Sequence, residues 1–65
     1  MARVVVEPEG RVIEVREPLR VSELLASLGL NSEEAVVLIN GTPVPEQAVI
    51  EGEDEVRVLR VRSSG

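Results

Sequence analysis

Two short segments near the start of the chain have the pattern of β-strands. Residues 3–7 and 11–15 are rich in β-branched side chains, and in the second segment Ile13 and Val15 share one face while Glu14 lies on the other. Pro8 and Gly10 separate the two segments. Because a turn this short leaves room only for a tight reversal of the chain, the pattern predicts an antiparallel β-hairpin.

After Pro18 the apolar period changes from two residues to that of a helix. Apolar side chains recur at helical spacing on one face, at Val21, Leu24, Leu25 and Leu28. Either Arg20 or Ser22 would be the N-cap, and Gly29 fits the position just beyond the C-terminus, where a left-handed backbone is common. The pattern therefore predicts one short helix.

The second half of the chain predicts three further strand segments. Residues 36–40 are almost wholly apolar, Asn40-Gly41 is a strong turn signal, and Pro43 and Pro45 allow only a very short edge strand. Residues 46–55 predict a loop in which Val49 and Ile50 point inward, and residues 55–62 predict the last strand.

This order of elements predicts an α+β fold in which a mixed sheet of four or five strands packs on one helix. The predicted core is wholly aliphatic: Val4, Val6, Ile13, Val15, Leu24, Leu25, Leu28, Val56 and Val58. More apolar residues remain than one covered face can bury. Val5, Leu59 and Val61, with two residues of the third strand, would crowd the uncovered face. We interpret this surplus as a partner surface. The alternative is a set of single exposed valines, which are common.

Composition excludes several kinds of function. The chain has 65 residues, which allow one domain, and it has no Cys and no His, which excludes thiol nucleophiles, Ser-His relays and the usual zinc sites. The net charge of -5 and the absence of aromatic residues argue against nucleic-acid binding. No signal peptide or membrane-spanning run is present, so we expect a cytoplasmic protein without a membrane partner.

Charge is distributed unevenly along the sequence. All acidic residues lie between Glu7 and Glu55, whereas Arg57, Arg60 and Arg62 lie in the last strand. One interpretation is a basic end that docks on an acidic partner. The other is a charged edge or exposed strand face that discourages aggregation.

Three segments, taken in order, carry a family resemblance. "VSELLASLGL", "VVLINGTPVPEQ" and "EGEDEVRVLRV", with a terminal glycine, resemble the small ubiquitin-like sulfur carriers of the ThiS and MoaD type, and the length is closest to the shorter ThiS-like branch. The resemblance covers nearly the whole chain. It implies a β-grasp domain over residues 1–62 and a C-terminal tail over residues 63–65.

The resemblance also implies a chemistry without an active site on this protein. An E1-like enzyme would use ATP and magnesium to adenylate the carboxylate of Gly65, and a sulfur donor would convert it to a thiocarboxylate. A downstream synthase would use that sulfur for thiazole, molybdopterin or a transfer-RNA base. In some relatives a lysine amine captures the activated carboxylate instead, which makes the protein a modifier. The chain would be no enzyme, bind no cofactor, and be a monomer or weak dimer when free.

The last residues fit this chemistry in size but depart from the family in one place. Ser63 and Ser64 are small enough for an arm that enters a narrow channel, and Arg60 and Arg62 could dock on an acidic partner. The family ends in Gly-Gly, whereas the penultimate residue here is Ser64. Three alternatives remain open: a working Ser-Gly carrier, a carrier whose natural end has been replaced by linker residues, or a β-grasp domain that only binds.

Overall fold

The computed structural model describes residues 1–61, which fold into seven strands and one helix. In chain order these are β1 (Ala2–Glu7), β2 (Arg11–Val15), β3 (Leu19–Arg20), α1 (Val21–Ser27), β4 (Ala35–Ile39), β5 (Thr42–Val44), β6 (Val49–Ile50) and β7 (Glu55–Arg60). The hairpin, the helix and the proline-bounded β5 confirm the predictions. The prediction that the last strand runs to residue 62 places its end too late, because β7 ends at Arg60.

Five of the strands form one mixed sheet in the order β2-β1-β7-β4-β5. β1 and β7 are parallel, while the other neighbouring pairs are antiparallel. The last strand is therefore the central one, hydrogen-bonded on both sides. With α1 packed on one side of this sheet, the predicted α+β, β-grasp architecture is confirmed.

The core lies between the helix and the inner side of the sheet. Alternate residues of β1, β4 and β7 meet α1 there, and the buried set is Ala2, Val4, Val6, Val21, Leu24, Leu25, Ala35, Val37, Ile50, Val56 and Val58. Ile13, Val15 and Leu28 belong to the predicted core but are only partly buried. The reason is their position: the first two lie on the edge strand β2, and Leu28 follows the last turn of α1.

Backbone groups at both ends of α1 find partners, which lets so short a helix form. The amides of Val21 and Ser22 donate to the carbonyls of Ala48 and Glu46 at 2.8 and 2.9 Å. At the other end Gly29 has φ +74, and the Leu30 amide donates to the Leu25 carbonyl at 2.9 Å. This pattern is a Schellman ending, which requires the left-handed backbone that glycine provides.

A two-stranded ladder between β3 and β6 is the element that the sequence pattern does not predict. Leu19 pairs with Ile50 and Arg20 with Val49. Since neighbouring residues of a strand point to opposite sides, Ile50 is fully buried whereas Val49 is 38% exposed. The prediction that both residues point inward is therefore wrong for Val49.

Candidate partner-docking face

The side of the five-stranded sheet opposite α1, here called the outer face, carries a continuous apolar band. Register determines its members: Val5 lies beside Val12 on one side and Arg57 on the other, and Leu38 lies beside Arg57. The next row places Leu59 beside Val36. The outer-face band therefore comprises Val5, Val12, Val36, Leu38, Pro43 and Leu59, with Arg57 among them. The band contains Val5, Leu59 and two residues of the third strand, as predicted, and adds Val12 and Pro43, whereas the predicted Val61 follows the end of β7.

Side chains of the outer-face band remain accessible although the strands beneath them are central. Val12 is 50% exposed and Val36 is 38% exposed, while Val5, Leu38 and Leu59 are half-buried. Neighbouring strands lie about 4.8 Å apart, which places Val5 beside Val12, Leu38 beside Pro43 and Leu59 beside Val36 in one patch that surrounds Arg57. A contiguous patch of this kind is typical of a surface that binds a partner.

One end of the outer face forms an open cavity of about 500 Å³. Val5 and Leu38 lie in its apolar part, and Arg3, Arg57, Asn40 and Glu55 surround them. The apolar residues of such a cavity provide surface that a partner can bury, and the polar groups around them can orient the partner's side chains.

Arg57 and Arg60, the described arginines of the predicted basic end, lie on opposite sides of the sheet and do not form one basic surface. Arg57 points to the outer face, where its Nε lies 3.3 Å from Oε2 of Glu7. Arg60 belongs to the opposite side of the sheet, and its Nη1 donates to Oε2 of Glu9 at 2.6 Å. The alternative of a charged edge strand is wrong because β7 is central, whereas Arg57 does lie on an exposed strand face.

The "INGTPVP" and "EGEDEV" segments meet in space through Asn40 and Asp54. The Asn40 side chain donates to Oδ1 of Asp54 at 3.2 Å and accepts the Glu55 amide at 3.0 Å, while Oδ2 of Asp54 accepts the Glu51 amide at 3.0 Å. Two turns far apart in sequence are thereby joined beside the cavity. The residues that carry the family resemblance here hold the sheet together rather than react.

Val61, the residue directly after β7, is still hydrogen-bonded to the sheet. It is 60% exposed, and its amide donates to the carbonyl of Glu34 at 3.0 Å, which extends the β4–β7 ladder by one bond. Glu34 is itself held, since its side chain accepts the Asn31 amide at 3.1 Å. The predicted partner-binding Arg62, the tail residues Ser63 and Ser64, and the reactive Gly65 lie outside the described residues.

Other features of the described residues bear less on the outer face. Within residues 1–61 no cluster of His, Cys, Asp or Glu has the arrangement needed to hold a metal ion. The helix present there, α1, is too short to cross a membrane. A backbone hydrogen bond, assisted by the N-terminal amine 3.2 Å away, lowers the pKa of Glu17 from its usual 4.5.

Comparison with known proteins identifies the family. The family model described as small archaeal modifier protein 2 matches residues 1–61. The chain belongs to this family. A relative from Archaeoglobus fulgidus, named only as an uncharacterized protein, is 52% identical over 46 residues, which span 71% of this chain and 67% of the relative.

Membership in the modifier family fixes the general kind of protein. The family is ubiquitin-like, so the expectation of a ubiquitin-like carrier or modifier is confirmed at that level, and an E1-like activating enzyme is the partner that membership implies. The match does not assign the ThiS-like branch, and the particular pathway is a separate question.

Proposed function

We propose that this modifier-family protein is a carrier of an activated carboxylate, with Gly65 as the reactive residue. The observation that carries the proposal is the family match over residues 1–61, which includes the outer-face band and the central strand that leads toward the tail. The chain is then a protein cosubstrate, not an enzyme, and binds no cofactor of its own.

In the first step of the proposed reaction, the Gly65 carboxylate attacks the α-phosphorus of ATP in the active site of an E1-like enzyme. Pyrophosphate leaves, and the product is an acyl-adenylate. Magnesium in that enzyme would balance the phosphate charge. A carboxylate is a poor electrophile until this step, so the tail must reach into the partner while the folded domain docks outside. Val5, Arg57, Leu59 and Val61 are the described residues that we assign to docking.

In the second step sulfur at the oxidation level of sulfide, supplied by a sulfur donor, attacks the acyl carbon and AMP leaves, so that the product is a thiocarboxylate without any oxidant or reductant. A downstream synthase would consume this sulfur in thiamine or molybdopterin formation or in thiolation of a transfer-RNA base. We place this chemistry in the cytoplasm, where the chain would be a monomer or weak dimer when free. It is the proposal that the resemblance to sulfur carriers favours.

A second fate for the same intermediate is capture by a lysine amine of another protein, which forms an isopeptide bond and releases AMP. The description of the family as a modifier favours this fate. All seven basic residues of this chain are arginines, so no lysine side chain can link one copy to the next. A non-reactive binding module is the third alternative, and Ser64 is the residue on which it depends.

Intact mass spectrometry separates these alternatives. The full chain is incubated with its cognate E1-like enzyme, ATP, magnesium and either sulfide or a lysine-rich acceptor protein. Replacement of one oxygen by sulfur at Gly65 supports the carrier, and an acceptor adduct without the thiocarboxylate supports the modifier.

The matched control is Ser64→Gly, which restores the usual ending of the family. If the Ser64→Gly variant reacts and the unsubstituted chain does not, a chain that ends in Ser-Gly is not a working carrier and the proposal fails. Mass spectrometry of the protein from its native host establishes whether Gly65 is its natural last residue.

A further inference from the structure

The two edges of the five-stranded sheet differ in how open they are to another strand. The difference follows from which backbone groups already have partners. Backbone N–H and C=O groups of successive residues in a strand point to alternate sides within the plane of the sheet. One observed hydrogen bond on a strand therefore determines the direction of the others.

The hydrogen bonds of β1 show which backbone N–H and C=O groups of β2 have no partner in the sheet. The Val6 carbonyl accepts the Gly10 amide at 2.9 Å, so it points toward β2, whereas the Arg3 amide points toward β7, where it donates to the Asp54 carbonyl at 3.4 Å. Residues 2, 4 and 6 therefore bond to β2, and their partners there are Val15, Ile13 and Arg11. The backbone groups of Val12 and Glu14 consequently point away from the sheet, at an edge where no strand of residues 1–61 lies alongside β2.

The opposite edge, β5, is closed by proline. The Asn40 amide donates to the Glu55 carbonyl at 2.7 Å, so Asn40 points toward β7 and Ile39 points toward its partner Thr42 on β5. Pro43 is then the β5 residue that faces outward, and it has no N–H to donate. Pro45, directly after the strand, has none either. Prolines at such positions block the addition of another strand.

Side chains along β2 indicate what kind of strand its free edge fits. Val12 is 50% exposed on the outer face, and Ile13 and Val15 are partly buried on the helix side, so both sides of the edge offer apolar contact. Arg11 and Arg16 lie at the two ends of β2, are exposed, and form no ion pair with any of residues 1–61. A second copy paired through the same edge would present the same two arginines, so the charge of this edge favours an acidic partner segment over self-pairing.

We propose that the free edge of β2 is a strand-addition site for an extended segment of a partner protein, with a few apolar residues flanked by acidic ones. The partner's backbone would bond to the N–H and C=O groups of Val12 and Glu14. Its apolar side chains would lie against Val12 and Ile13, and its acidic residues would lie near Arg11 and Arg16. Main-chain bonding supplies affinity in this mode, and alternate side chains supply specificity. The site does not include the tail, so the test of this proposal does not depend on whether Gly65 is activated.

The test uses the full chain labelled with nitrogen-15 and the synthetic peptide Asp-Asp-Val-Ile-Val-Val-Asp-Asp as the probe. We expect the amide signals of Val12 and Glu14 to shift on titration and their hydrogen exchange to slow. Val12→Pro removes one outward N–H without removing a ladder bond, and it should abolish binding. Val12→Ala keeps the N–H and should retain most of it. Arg11→Glu with Arg16→Glu should weaken binding by roughly three- to tenfold, as expected for exposed ion pairs.

A second measurement keeps the test decisive if Val12→Pro does not fold. The same peptide with N-methyl groups on alternate residues has no N–H groups along one of its two edges. It should therefore not bind the unmodified protein through that edge. Three results would overturn the proposal: no amide shift up to about 1 mM peptide, shifts centred on Val5 and Leu38 of the outer face, or β2 shifts that depend on protein concentration without peptide. The last of these would identify a second copy as the occupant.

Discussion

At the scale of the residue, Asn40 shows how a short motif specifies tertiary structure. Its φ is +53, a left-handed value that asparagine tolerates better than most residues, and Gly41 beside it has φ +86. These values fit a tight turn between β4 and β5. The side chain then bonds to Asp54 and to the Glu55 amide in another turn. One residue thus sets both a local reversal and a long-range contact.

Asn40→Ala should destabilise the fold by roughly 2 kcal/mol, because it loses two hydrogen bonds and places a Cβ-bearing residue without a polar group at positive φ. Asn40→Gly keeps the conformation and loses only the side-chain bonds, so we expect roughly half that cost. Equilibrium urea unfolding measures both. Combination of Asn40→Gly with Asp54→Ala completes a double-mutant cycle, and strictly additive losses would show that the two side chains are not coupled.

At the scale of the element, the ends of α1 matter more than its length. A helix of seven residues does not form by itself, so its N-terminus depends on the carbonyls of Glu46 and Ala48 and its C-terminus on the Schellman ending. The sequence signals for that ending, Gly29 and Leu30, are local and predict it well. The partners at the N-terminus come from a distant loop, which local pattern does not reveal.

Gly29→Ala should cost about 1–2 kcal/mol of folding free energy, because the left-handed backbone is unfavourable for a residue with a Cβ. No atom outside the immediate neighbours lies within 4 Å of a Cβ built at Gly29, so a steric clash would not contribute. Gly29→Asn should cost less, since asparagine tolerates this conformation. Thermal unfolding of the three proteins compares them, and equal stability of the alanine and asparagine variants would contradict this account.

At the scale of the whole molecule, the two faces of the sheet have different roles. The inner face packs on α1, and the outer face keeps an apolar band that no element of residues 1–61 covers. The central strand β7 is paired with β1 as far as Leu59 and with β4 as far as Arg60, and the Val61 amide adds one further bond, to the Glu34 carbonyl. The proposed reaction, in which the tail enters the active site of an E1-like enzyme, would benefit from such a rigid origin.

Leu59→Glu should weaken binding of the E1-like enzyme by tenfold or more while leaving the domain folded, because it places a charge in the half-buried outer-face band. Val49→Glu is the control, since it places the same charge on an accessible aliphatic residue that lies on β6, outside the five-stranded sheet. Isothermal titration calorimetry gives the affinities, and a melting curve verifies the fold. Equal affinity of both variants would exclude the outer face as the docking surface.

The sequence by itself determined the hairpin, the short helix with its glycine ending, the proline-bounded strand and the apolar surplus, because each depends on local period or on one residue's backbone preference. Tertiary structure alone decided the β3–β6 ladder, the ion pairs of Arg57 and Arg60, the Asn40–Asp54 link and the contrast between an open β2 edge and a closed β5 edge. These depend on which distant strands become neighbours and in which register. Local periodicity contains no information about that choice, since the same alternating pattern fits several partners equally well.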